Sequence, residues 1–317
     1  MNQVQHSIKM DRLIEIAKDN PRDISFIMQY LSKEDLETFN QLINEKRLKV
    51  RRKKNHHKRE AFKSSLITVL GEPRLAAELA VAISKLNRDR EVAILDADRF
   101  DPKLDVYLNS KCYIKSVFTH LDVNRTTGLN LLVDAIHKKT LTPQYAKHLA
   151  LRIHGIKNLY YFSGSYILDD YEYYKIEDFK KVLSFLKSNY DTVIISSNHF
   201  IYDGFTCHAL MTSDVNLISV SGHLTDIKEK VKLMHFLERK QQVKSSKNIY
   251  VMFDYNKKLH VDKRVFQTLT SKQSHIIPYS QYRSYGISRN YHLTKHMKRG
   301  QINVYNKLLH KIHKVTI

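Results

Sequence analysis

Apolar positions along the chain follow two rhythms. Residues 66–70 (LITVL) are a short, continuous, partly β-branched run with the length of a buried strand. Gly71-Glu72-Pro73 then turns the chain and sets a proline just inside a helix start. Beyond it, apolar residues recur at Leu75, Leu79, Ala82, Ile83 and Leu86, a helical stripe. Residues 92–95 (VAIL) are the next continuous run and lead into Asp96-Ala97-Asp98. A strand, helix and strand of these lengths predict a βαβ unit. That unit brings Gly71 and both aspartates to one sheet edge, at the carboxyl ends of parallel strands, where such folds bind ligands.

The two rhythms alternate downstream. Helical patterns cover residues 130–136, 176–186 (with Phe179, Val182, Leu183 and Leu186 inward), 226–237 and a segment ending near 214. Strand patterns cover a stretch within 155–165, then 190–197, 215–220, 248–253 and 274–279. Near the C-terminus, Val304, Tyr305, Leu308, Leu309, Ile312 and Val315 share one helix face, and Lys307, His310, Lys311, His313 and Lys314 make up most of the rest. Such alternation predicts an α/β domain: a doubly wound, mostly parallel sheet with helices on both faces. Residues 1–46 read differently, as two or three short amphipathic helices, one opening at the capping-box pattern Ser32-Lys33-Glu34-Asp35. They are too short to bury much alone, so a protein partner, a second copy or the main domain is expected to cover them. The expected organisation is a helical extension over 1–46, a basic linker or arm over 47–63, and the α/β domain over 64–317.

Charge adds a partner class. The 317 residues carry 53 Lys and Arg against 32 Asp and Glu, a net +21, which predicts long-range attraction to a polyanion: nucleic acid such as DNA, an anionic membrane surface or an acidic protein partner. Candidate contacts are Arg47, Lys49, Arg51, Arg52, Lys53, Lys54, Lys58 and Arg59 in the arm, with Lys307, Lys311 and Lys314 on the C-terminal helix. A solvated linker is the alternative reading of the arm. No run of 18 apolar residues and no signal-peptide pattern occur, and Cys112 and Cys207 lack paired spacing. A cytoplasmic protein, nucleoid- or membrane-associated, is therefore expected. No metal site is expected. His292 and His296 stand four apart without a carboxylate or thiol beside them to complete a ligand set.

The stretch from Ser65 to Leu108 resembles the opening of the ParA/MinD family of deviant Walker-type ATPases. Ala77-Glu78-Leu79-Ala80 stands where that family has "ANLA", and Leu95-Asp96-Ala97-Asp98 matches its second strand and "DxD". Residues 155–165 are similar to its "NL…LPGS", residues 190–197 to "YDyVIID", and residues 274–279 to "IPyd", so the resemblance runs over about 64–312. The resemblance implies a nucleotide site at Gly71, Glu72, Pro73, Arg74, Asp254 and Pro278, with Asp96 and Asp98 retained from the catalytic motif. It further implies a homodimer, with ATP as the candidate cofactor.

The phosphate loop departs from the family pattern. It has one glycine, a carboxylate, a proline without an N–H, and no Lys-Ser/Thr pair to serve phosphate and Mg²⁺. Ser196 stands at the family's metal-supporting aspartate, and a hydroxyl supplies no charge for a divalent ion. Asp254-Tyr255-Asn256 replaces the adenine-reading "NRY". The expectation is a degenerate member without a catalytic residue set, similar to the TadZ/CpaE type: a non-hydrolysing spatial organiser or adaptor in partition, conjugation, secretion or pilus positioning. Two alternatives remain open. One is an active ATPase in which Arg74 replaces the missing lysine; the other is a plain basic DNA-binding protein.

Overall fold

The structure is a computed structural model describing residues 65–110, 128–165, 174–271, 273–283 and 297–316. The extension, the basic arm and His292 and His296 lie outside the described residues.

Eight strands form one sheet in the order β3-β4-β2-β5-β1-β6-β7-β8. They are β1 (Ser65–Leu70), β2 (Val92–Asp96), β3 (Leu151–Arg152), β4 (Leu159–Phe162), β5 (Thr192–Ser197), β6 (Val215–Val220), β7 (Asn248–Tyr255) and β8 (Ser274–Pro278). Every pairing is parallel except that of the two-residue edge strand β3 with β4. The helices are α1 (Pro73–Leu86), α2 (Leu104–Leu108), α3 (Leu129–His137), α4 (Pro143–Leu149), α5 (Ile176–Asn189), α6 (Gly204–Thr212), α7 (Leu224–Gln241), α8 (Lys263–Leu269) and α9 (Arg299–Thr316). A doubly wound α/β sheet is thus what the alternating pattern builds.

Central strands are buried on both faces, which explains their continuous apolar runs. One face carries Leu66, Leu95, Val193 and Ile195 beneath α3, α5 and α6, where Phe179 and Phe205 stack with ring centroids 4.1 Å apart. Leu70, Ile218 and Met252 continue that layer under α7 and α8. α1 and α9 pack against one another, and the α9 residues Tyr305, Leu308, Leu309 and Ile312 are buried. The apolar stripe over 304–315 is therefore a core face, and the helix that presents it begins earlier, at Arg299.

The chain leaves β1 toward β2 on one side of the sheet and continues from β6 to β8 on the other. The direction of winding reverses between β1 and β6. That reversal opens a crevice at the carboxyl ends of the strands, which is where doubly wound sheets place ligands.

Candidate functional site

Two adjoining clefts lie at this edge. The first, about 510 Å³, is lined by Gly71 and Pro73 after β1, Asp96 and Asp98 after β2, Ser196 to Phe200 after β5, and Phe100, Asp101 and Lys103. The second, about 360 Å³, is lined by Gly71, Glu72, Arg74 and His199, the ends of β6 and β7 through Phe253 and Asp254, and Asp226, Lys230 and His260. The topology thus gathers Gly71, Glu72, Pro73, Arg74, Asp96, Asp98 and Asp254 at one edge. Pro278 joins through its carbonyl, which accepts a bond from Arg283.

Gly71 makes the turn possible. It has φ +78°, in the left-handed region that favours glycine, and its N–H donates to the Ser197 carbonyl at 2.9 Å. Glu72 then becomes the N-cap of α1. Its Oε1 accepts from the Arg74 backbone N–H at 3.2 Å and from Arg74 Nε at 2.8 Å, while Oε2 accepts from Arg74 Nη2 at 2.8 Å. The Glu72 carboxylate therefore sits at the positive end of the α1 dipole and holds the nearest cation by two bonds. Its hydrogen bond is the main reason the Arg74 pKa is raised, in spite of burial.

A second arginine, not expected from the sequence, continues the chain of charges. Asp254 lies at an irregularity of β7 with φ +56°; its Oδ2 is 3.5 Å from Arg74 Nη1 and its Oδ1 accepts from Arg283 Nη1 at 2.6 Å. Arg283 also forks onto Glu78 of α1, at 2.6 and 2.9 Å, and Glu78 accepts from the Tyr305 hydroxyl of α9 at 2.7 Å. Both guanidinium groups lie near the Phe253 ring, at 5.3 Å for Arg74 and 4.7 Å for Arg283. Glu72, Arg74, Asp254, Arg283, Glu78 and Tyr305 thus form one internal network of alternating charge that ends in a phenol.

The two retained aspartates have separate local tasks. Asp96 is fully buried, and its carboxylate oxygens accept from the backbone N–H groups of Leu104 at 2.9 Å and Asp98 at 3.3 Å. Desolvation pushes its pKa up to about 8, against the lowering effect of the Leu104 bond, so the group is largely a neutral acid at neutral pH. Asp98 Oδ1 accepts from the backbone of Phe100 and Asp101 at 3.0 and 3.1 Å and from Asn198 Nδ2 at 3.3 Å, which closes the turn after β2. Ser196, in β5 and the register partner of Asp96 of β2, is buried. Beside this cleft Arg99 pairs with the fully buried Asp203, the N-cap of α6. Among the described residues no group of three or more His, Cys, Asp or Glu is placed to hold a metal ion.

No family model and no curated protein matches the chain. Solved structures do. A ParA family ATPase from Chlorobium tepidum TLS superposes with a TM-score of 0.62 at 15% identity, covering 78% of this chain and 98% of that one. A plasmid partition protein from Borrelia burgdorferi, bound to AMPPNP, gives 0.58 at 16% identity over 79% and 99% of the two chains. MinD in the MinC:MinD cell division complex of Aquifex aeolicus gives 0.57 at 17% identity over 77% and 96%. The fold is that of the MinD/ParA P-loop ATPases.

The donor set does not fit a magnesium nucleotide. Around α1, a carboxylate caps the helix where a phosphate would need converging N–H groups, and Pro73 contributes none. Arg74 is committed to Glu72 and Asp254, and desolvation raises the pKa of Asp96, the buried carboxyl at the end of β2, which disfavours the charged form a divalent cation needs.

Proposed function

We propose that this chain is a non-hydrolysing member of the MinD/ParA group, acting as a spatial organiser or adaptor that contacts a polyanion or a protein partner. One observation carries the reading: Glu72 closes on Arg74 and the α1 N-terminus, so the phosphate position is served by an internal anion. The Asp254–Arg283 pair extends the same substitution toward β7 and β8, where the family resemblance would place adenine. The solved structures of similar fold include a partition protein and a MinC:MinD cell division complex, and that likeness supports a positioning role. Dimer formation and location in the cell belong to the same proposal. No described helix is long and apolar enough to cross a membrane.

The test is phosphate release from radiolabelled ATP by the full-length protein, with and without duplex DNA. Release no faster than in buffer is expected, unchanged in Arg74→Ala. Turnover that DNA stimulates and Arg74→Ala abolishes would establish the active ATPase instead, with Arg74 as its phosphate-contacting cation.

A further inference from the structure

The first cleft, about 510 Å³, is large enough for a small organic molecule, and its lining is unsuited to an anion. The backbone N–H groups that an anion would need are spent inside the protein. Gly71 donates to the Ser197 carbonyl, Phe100 and Asp101 donate to Asp98 Oδ1, and Phe200 donates to Asn198 Oδ1 at 2.8 Å. Pro73 has no N–H to give.

Acceptors and rings are what the cleft offers instead. Asp98 engages its neighbours through Oδ1, and its Oδ2 accepts no hydrogen bond among the described residues. Phe100 and Phe200, both exposed, line the cleft with ring centroids 6.0 Å apart and planes at 82°, two apolar walls nearly at right angles. Tyr202 continues them, its ring 5.6 Å from that of Phe200. Rings and carboxylates together suit a cation that carries hydrocarbon. The ring quadrupole attracts the charge, and a carboxylate accepts its N–H groups.

The protein already sets one alkylammonium at this cleft. Lys103, the lysine of the lining, pairs with Asp101. The bond to Asp101 is the main reason the Lys103 pKa is raised, and the charges of Asp101, Tyr107 and Asp98 add to it. On a chain of net charge +21, the local field here thus favours a protonated amine.

We propose that the cleft binds a small aromatic amine in its protonated form, with the ammonium on Asp98 Oδ2 beside Asp101 and the ring against Phe100 and Phe200. The proposal rests on the reading that no nucleotide occupies this edge, and it names the ligand class that takes the place. An aromatic body is favoured because edge and face contacts with the two phenylalanines add to the area it buries.

Calorimetric titration of the full-length protein with phenethylamine at neutral pH tests this. Saturable binding is expected. Phenethyl alcohol, the same body without the charge, is expected to bind about tenfold or more weakly, and the anion hydrocinnamate not at all. Asp98→Asn keeps an oxygen for the Phe100 and Asp101 amides and is expected to weaken the amine about tenfold or more. Phe200→Leu is expected to weaken it about threefold. Glu229→Gln, which removes an equal charge from an exposed position of α7, is expected to change nothing. No saturable binding of the amine, equal binding of amine and alcohol, or equal weakening by Asp98→Asn and Glu229→Gln would each overturn the proposal. So would an acetylated lysine amide that binds as tightly as phenethylamine, since the cleft would then belong to a lysine of a protein partner. Phe200 is exposed, so its variant keeps the test in force if Asp98→Asn melts early. A parallel titration with Mg·ATP separates the two readings. Saturable binding of both ligands keeps this site and removes the nucleotide-free adaptor, whereas binding of neither removes this site and leaves that adaptor standing.

Discussion

Asp96 shows how one side chain can keep a familiar position and lose the chemistry attached to it. It ends β2 at the sheet edge, but it is fully buried and its oxygens are taken by the Leu104 and Asp98 amides. Its folded pKa, about 8, lies above the ordinary value of 3.8. The folded state therefore binds more protons than the unfolded state between those limits. The stability this contributes is complete below about pH 4 and is lost as pH rises through 8. Urea denaturation of wild type and Asp96→Asn at pH 6 and pH 9 measures the effect. The wild type is expected to lose on the order of 2 kcal/mol more than the variant across that interval. Equal losses would show that Asp96 is already ionised in the folded protein at pH 6. The sequence placed Asp96 and Asp98 at the correct edge because strand ends follow from local apolar runs. It did not show the burial that raises the pKa, because the residues that cover Asp96 come from segments outside its own strand, Leu104 and β5 among them.

At the scale of elements, the internal network joins α1, the end of β7, the turn after β8 and α9. Glu78 and Arg283 are 205 residues apart, and both are nearly buried, with side-chain exposures of 5% and 6%. Removing one partner leaves a buried charge alone, which costs about 3–5 kcal/mol, whereas replacing both with apolar residues is close to neutral. Arg283→Met is thus expected to lower the unfolding free energy measured in urea by that much, and Glu78→Met/Arg283→Met to recover most of the loss. A single variant as stable as the wild type would mean the network does not hold these elements together. One half of this pair was legible in the sequence: Glu78 lies on the same face as Leu75, Leu79 and Ala82, a carboxylate within an apolar stripe. Arg283 carried no such signal, because its segment has no periodic pattern and its partners are remote. The strands β1, β2 and β5 were legible as continuous apolar runs. β3 was not, since two residues of edge pairing leave no rhythm. The length of α9 was underestimated because Arg299 to Asn303 contribute little to its buried face.

Over the described domain as a whole, two charged regions differ in how their charges are met. The crevice at the carboxyl edge holds paired charges whose acids and bases satisfy one another, while the acid-free face of α9 keeps lysines directed to solvent. In the proposed reading Glu72 stands where a phosphate would need N–H groups, and the net charge of +21 favours a polyanion partner without a nucleotide. The central claim is that no nucleotide governs this molecule. Calorimetric titration of the full-length protein with Mg·ATP and with AMPPNP, with light scattering on the same samples, tests it most directly. No saturable heat up to millimolar nucleotide and an unchanged mass are expected. Micromolar binding with a shift from monomer to dimer would contradict the account and show that Glu72 yields its place to phosphate.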